Sequence, residues 1–239
     1  MITWNNVTSD SLGIYVEAAP FYVKPKRKID VYSVPGRSGD IIRLQDAWDN
    51  VKQDYEIFAG DGSEHDVPGA FSSVAAWLYG PAGYQRLEDD FDTEHFRLAH
   101  FDGPFDIENI MTRVGRAKIT FDCKPQRFLT SGETPETFYT TGTITNPTAF
   151  ASRPLLLVTG GGVEGTVTVN GTVFTISNTS VPIYIDCDTM NCYDGNGNNK
   201  NTIVSSSTSE FATLAPGSNS IGLSGAVSTV QITPRWWEI

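Results

Sequence analysis

Apolar and polar residues alternate with a period of two through most of this 239-residue chain, and Gly, Asn, Pro and Ser break the pattern repeatedly. That punctuation points to short strands, each burying one face and turning back on its neighbour. Leu12-Gly13-Ile14-Tyr15-Val16 alternates, as does Ile29-Asp30-Val31-Tyr32, which leads into the turn residues Pro35-Gly36. Two further runs, Ile41 to Trp48 and Val51 to Phe58, flank Asp49-Asn50 and read as an extended hairpin turning there. One stretch keeps helical spacing instead. Between Pro68 and Tyr79, the residues Phe71, Val74, Ala75 and Leu78 share a stripe, Pro68 suits a first turn, and Gly80-Pro81 stops the helix. Ala117 to Cys123 then sends Ile119, Phe121 and Cys123 inward, and Pro125 is expected to end that strand.

Composition divides the chain. Charged residues occupy 34 of the first 130 positions but 11 of the last 109, so the halves have different surface chemistry and read as two domains. Residues 1–130 form a β-rich domain with the one helix. Residues 131–149, rich in Thr, Gly and Pro, are expected to link it to an all-β domain over 150–239. There, Asn170-Gly171 suits a two-residue hairpin turn, which sets Val169 opposite Thr172 and Val167 opposite Phe174. Val167, Val169, Phe174 and Ile176 then share a buried face; Val181, Ile183 and Ile185 form a second inward row, and Val230, Ile232 and Trp236 a third. Short strands of this kind over about a hundred residues read as a β-sandwich.

The net charge of −11 argues against nucleic acid as a ligand, because phosphate binding draws on Lys and Arg. The opening residues carry neither a basic leader nor an apolar run, so no signal peptide is expected, and no stretch reaches the length of a membrane span. Cys123, Cys187 and Cys192 are an odd number and do not suggest a disulfide framework. Cys187 and Cys192 could bridge across a short loop, and free thiols in a reducing cytoplasm are the favoured reading.

Residue clusters that could carry chemistry are sparse. Asp194-Gly195-Asn196-Gly197-Asn198-Asn199 spaces oxygens like a calcium loop, yet Asn199 stands where a glycine is needed and Ser205 where a bidentate Glu is needed. A Gly/Asn turn is the plainer reading. The acidic run from Glu88 to Glu94 reads as a solvated loop, since hydrolysis needs two carboxylates at a set separation across a bond. His65, His95 and His100 lack zinc spacing. Lys24-Pro25-Lys26-Arg27-Lys28 is the one basic run, expected to meet solvent or carboxylates of a neighbouring subunit. Arg37 sits between Gly36 and Gly39 on a turn that could face a neighbour. Trp237 should point outward if Trp236 points in, free to stack on a sugar or to pack within the protein. The expectation is therefore a non-enzymatic protein with no catalytic, cofactor-binding or metal residues.

Several segments together resemble the distal tail protein (Dit) family of long-tailed bacteriophages. These are Trp4-Asn5-Asn6-Val7-Thr8-Ser9-Asp10-Ser11-Leu12-Gly13-Ile14, the turn Pro35-Gly36-Arg37-Ser38-Gly39, the helix ending Trp77-Leu78 and the strand from Ala117 to Pro125. In the second half they are Asn146-Pro147-Thr148, Ile183-Tyr184-Ile185-Asp186 and Leu214-Ala215-Pro216-Gly217-Ser218-Asn219-Ser220-Ile221. Gln126 departs from the pattern, standing where an aromatic commonly follows the proline. The resemblance implies a mainly β fold: a barrel-like, tail-tube-like first domain with one helix, and a galectin-like or carbohydrate-module-like sandwich. It also implies a homohexameric ring at the distal end of the phage tail, assembled in the host cytoplasm. The tail-tube protein would lie above the ring and a tail-associated lysin or fibre-like protein below it. Receptor-binding or baseplate proteins would attach outside, and DNA would pass through without specific binding. A carbohydrate-binding module for host-surface polysaccharide is the competing function, and a wall-degrading hydrolase comes third.

Overall fold

The computed structural model describes residues 1–59, 67–104, 107–111 and 114–239, with side chains given outside 59–71 and 105–114. The chain divides into two compact units, one of Met1–Arg127 with Ile239 and one of Phe128–Glu238.

In the first unit the strands are β1 (Ile2–Trp4), β2 (Val7–Thr8), β3 (Ile14–Val16), β4 (Arg27–Tyr32), β5 (Ile41–Trp48) and β6 (Val51–Ala59). The helix α1 (Val67–Tyr79) follows, then β7 (Gln85–Asp89), β8 (His95–His100), β9 (Ile107–Met111) and β10 (Val114–Leu129). A curled sheet runs in the order β2-β1-β7-β8-β10-β6-β3, with β9 also on β10. Its concave face holds Ile2, Trp4, Ile14, Tyr55, Ile57, Ile119 and Phe121, and α1 adds Val74 and Leu78 to that core. Trp77 of α1 donates its indole N–H to the Trp4 carbonyl at 3.2 Å, pinning the helix to β1. The helical stripe expected from sequence thus buries Val74 and Leu78, while the side chain of Phe71 and all of His65 lie outside the described residues. Ile119, Phe121 and Cys123 point inward as expected, each fully buried.

Two expectations fail here. β5 and β6 do not form a hairpin: β6 pairs with β10 along Val51–Ala59 and with β3 at Ile57–Ala59, while β5 pairs with β4 in a separate two-stranded ribbon, to which Asp49 is still tied by its N–H on the Lys26 carbonyl at 2.9 Å. Nor does Pro125 end its strand. The β6 ladder already stops at the pair Cys123–Val51, so the missing N–H of Pro125 removes no bond from it, and β10 runs on to Leu129.

In the second unit the strands are β11 (Glu136–Phe138), β12 (Gly142–Asn146), β13 (Leu155–Val169), β14 (Thr172–Ile176), β15 (Ile183–Asp186), β16 (Asn191–Asp194), β17 (Val204–Ser206), β18 (Gly217–Thr233) and β19 (Trp237–Glu238). Residues 131–149 do more than connect. They contain β11 and β12, both hydrogen-bonded along β18, because Phe138 and Ile144 join the core of this unit.

The long strands β13 and β18 pair along their length and form the spine. Along its other edge β13 takes β15 at Leu155–Val158 and β14 at Gly165–Val169, with an irregularity between. The spine bends there, and the two halves close on one core. Leu156, Ile185 and Ile232 from one half meet Val167, Phe174 and Ile221 from the other. The bend depends on close backbone approach. A Cβ on Gly160 would lie 2.3 Å from the Ala226 carbonyl oxygen, and buried Thr179 accepts from Gly162 N and donates to the Val163 carbonyl, both at 3.0 Å. The hairpin over Asn170-Gly171 has the expected register, Val169 opposite Thr172 and Val167 opposite Phe174, with both turn residues at positive φ (48° and 84°). Ile183 and Ile185 are buried, but Val181 is exposed, since β15 begins only after Pro182 and Val181 falls outside its alternation.

Candidate functional site

The β4–β5 ribbon is the surface least explained by folding. Its register sets Ile29 opposite Leu44 and Val31 opposite Ile42, and directly opposed residues share a face. Four branched apolar side chains therefore make one strip, and all four are exposed, Ile42 at 61%. The other face is mixed: Asp30 stands opposite Arg43 and accepts from Gln45 at 2.7 Å, while Tyr32 stands opposite Ile41 nearer the tip. At the tip, Arg37 N donates to the Val34 carbonyl at 3.1 Å, closing a turn over Pro35-Gly36. The Arg37 side chain is exposed and makes no ion pair among the described residues. At the base, the basic run meets its own chain: Arg27 pairs with Asp46 at 3.6 Å and Lys28 with Asp49 at 3.9 Å. A two-stranded ribbon is marginal alone in water, and an uncovered apolar strip on it marks an interaction surface.

The acidic run is solvated in part, with Asp90 and Glu94 exposed, while Asp89 and Asp92 have a structural role. Asp89 accepts from Tyr22 Oη at 2.7 Å, from Tyr55 Oη at 2.8 Å and from the amides of Phe91 and Asp92. Asp92 Oδ2 accepts from Arg127 at 2.6 Å, and Asp92 Oδ1 lies 2.7 Å from His95 Nδ1. Burial works against the Asp92 charge, yet His95 and Arg127 hold its carboxyl below the usual range. Burial and the bond to Asp89 push Tyr22 upward. Beside this network lies Arg97, buried, with neither terminal nitrogen partnered among the described residues; burial lowers its pKa. No nucleophile is presented to solvent in this cluster. It ties the 88–95 loop to β6 and β10.

The remaining candidates resolve similarly. His100, Asp102 and Asp122 come close enough to hold a metal, but Lys52 already pairs with Asp122 at 2.9 Å and Asp102 at 3.2 Å. Asp194 Oδ1 accepts from the amides of Asn196 and Asn198, and Lys200 sits 3.3 Å from Oδ2. These donors, the Asn198 side chain first, lower the Asp194 pKa to about 2 and use the carboxylate to close a Gly/Asn turn. All three cysteines are free and buried, and burial pushes Cys123 and Cys187 up to about 12. Trp236 is buried. Trp237 turns onto its own unit, stacked on Phe150 at 4.6 Å with its indole N–H on the Ala151 carbonyl at 3.0 Å.

The chain superposes on the Dit (gp 19.1) protein of phage SPP1, described as a paradigm of the hub adsorption apparatus in phages infecting Gram-positive bacteria. The TM-score is 0.76 at 10% identity, covering 100% of this chain and 98% of that one. A chain of the phage p2 baseplate in its activated conformation with calcium is similar over 92% of this chain and 90% of its own, with TM-score 0.51 and 10% identity. No family model matches the sequence, and no curated protein matches it. At this identity the likeness is one of fold.

Proposed function

We propose that this protein is a structural component of a phage tail, a hub at the distal tip with no catalytic role of its own. The full-length superposition on a phage hub protein carries the reading, and the exposed apolar strip of the β4–β5 ribbon supports it. In this reading the domain of residues 1–130 closes six copies into a ring, each ribbon laying Ile29, Val31, Ile42 and Leu44 on the next copy. The tail-tube protein stacks on one face of the ring and a tail-associated lysin or fibre-like protein on the other. Receptor-binding or baseplate proteins that attach the particle to its host dock on the second domain. DNA crosses the ring without being gripped, in keeping with the net charge of −11.

The test is solution mass and negative-stain imaging of the full chain beside Val31→Asp/Ile42→Asp. Wild type should give a ring six times the 26.1 kDa chain mass, and the double variant should give folded monomer. A wild-type monomer at every concentration, or a ring indifferent to the two aspartates, overturns the assignment. Tight binding of duplex DNA at moderate salt overturns the non-gripping bore.

A further inference from the structure

On the face of the first unit's sheet turned away from its core, His100, Asp102, Asp122 and Lys52 form a cluster to which the tail-hub reading gives no role. Asp122 stands between the buried Phe121 and Cys123, so its carboxylate points to the opposite face, directly across from Lys52 of β6. β8 flanks β10 on its other edge and ends at His100, with Asp102 two residues on. One ligand atom from each of His100, Asp102 and Asp122 lies within 4.8 Å of the others. We propose that these three side chains bind a zinc ion, in exchange for the ammonium of Lys52.

Lys52 marks the place of a cation. Its Nζ bridges the two carboxylates, 2.9 Å from Asp122 Oδ2 and 3.2 Å from Asp102 Oδ1. Burial opposes the Asp122 charge, yet Lys52 and Asn50 hold its carboxyl below the usual range. The bond to Asp122 in turn leads in raising the Lys52 pKa. The lysine is nonetheless a displaceable occupant. Its side chain is 54% exposed, its four-carbon stem can swing into water, and exposed ion pairs hold it weakly.

His100 brings an imidazole that the fold leaves unspent. Its Nδ1 is buried with no hydrogen-bond partner among the described residues, and its Nε2 stops 3.7 Å from Asp102 Oδ2, beyond hydrogen-bond reach. Two ligands of a tetrahedral ion with bonds of about 2.0–2.1 Å stand roughly 3.3 Å apart, so a small turn of the half-exposed Asp102 side chain closes the set. Behind the ligands, Tyr84 packs edge-on against the His100 ring at 5.0 Å and 88°. Asn50 donates to Tyr84 Oη at 2.7 Å and also to Asp122 Oδ1, so one amide orients both the ring support and the carboxylate. One imidazole nitrogen with two carboxylate oxygens suits zinc, with water in the fourth position, whereas calcium and magnesium favour six or more oxygens. Bound there, the ion ties the end of β8 to β10 and stabilises the first unit by mass action.

The experiment titrates the full chain, freed of any affinity tag, with zinc chloride by calorimetry and with cobalt(II) chloride by visible absorption. Wild type should bind one zinc with a micromolar Kd, and cobalt should give the intense visible band of a four-coordinate site. His100→Ala and Asp122→Asn should each abolish both signals, with unchanged circular dichroism separating lost binding from lost fold. Asn50→Ala should weaken binding about tenfold through the lost orientation of its two partners. Lys52→Met should tighten it about tenfold, because two exposed ion pairs no longer compete with the metal. His65→Ala should leave it unchanged. A silent wild-type titration overturns the proposal. So does binding that survives His100→Ala in folded protein, a Lys52→Met affinity no tighter than wild type, or displacement of zinc by calcium or magnesium at equal concentration.

Discussion

Asp186 closes β15 with a carboxylate that is buried and fully used. Oδ1 accepts from Arg235 Nη1 at 2.7 Å and from the amides of Asp188 and Thr189 at 3.0 and 3.4 Å, and Oδ2 accepts from Arg235 Nη2 at 3.2 Å. Arg235 itself sits at positive φ (56°), its N–H on the Gly132 carbonyl at 2.8 Å, so the pair ties the end of the unit to its beginning and to β15. Asp186→Ala strands a guanidinium and two amides. Breaking a buried pair in this way costs about 3–5 kcal/mol. The Arg235 side chain is 31% exposed and can turn to water, which brings the expectation to about 2–3 kcal/mol. Asp186→Asn keeps an acceptor for the amides and loses only the charge, so it should cost about half as much. Urea unfolding followed by far-ultraviolet circular dichroism and tryptophan fluorescence reads both values. Acid adds a second check. Burial opposes the Asp186 charge, but the bonds from Arg235 win and its native pKa is lowered. Its contribution is therefore complete above the unfolded carboxylate value of about 3.9 and is lost as pH falls through the lower native value. The gap between wild type and Asp186→Asn should close in that acid window. A loss under about 0.5 kcal/mol for Asp186→Ala, the scale of a neutral surface change, refutes the reasoning, as does a gap that stays constant with pH.

Three further outcomes follow from the same geometry. Arg97→Met removes a buried guanidinium whose terminal nitrogens have no partner among the described residues, and should stabilise the first unit by about 1–3 kcal/mol in urea; a clear loss would show that the guanidinium is satisfied. Thr179→Val keeps the shape but deletes the two bonds that hold the bend of β13, and should cost about 1–2 kcal/mol, read as a drop in the midpoint of the second unit. The Asp194 turn should persist to low pH, because a native pKa of about 2 keeps its carboxylate charged until pH falls through that value; the amide shifts of Asn196 and Asn198 should titrate there, and a midpoint near 4 would contradict the turn.

Local chemistry made much of this legible. The Asn170-Gly171 turn fixed a register that the Val167–Phe174 pair repeats residue for residue, and the alternation of Ile119, Phe121 and Cys123 named the inward face of β10. What could not be read locally was competition for edges. Two alternating runs around Asp49-Asn50 look like a hairpin, yet β5 takes β4 as its partner and β6 takes β10, segments distant from that turn in the chain. The same holds for charges: the carboxylates from Glu88 to Glu94 look solvated until Tyr22, Tyr55 and Arg127, distant in sequence, arrive to bind Asp89 and Asp92.

The sequence by itself determined that this is a β-rich chain with one amphipathic helix and two regions of unlike charge, because periodicity and turn residues act over a few positions. Tertiary structure decided which strands are neighbours, which acids are buried, and which apolar strip is left uncovered on the ribbon. Those outcomes depend on which segment wins each edge and each pocket, a contest between residues far apart in the chain.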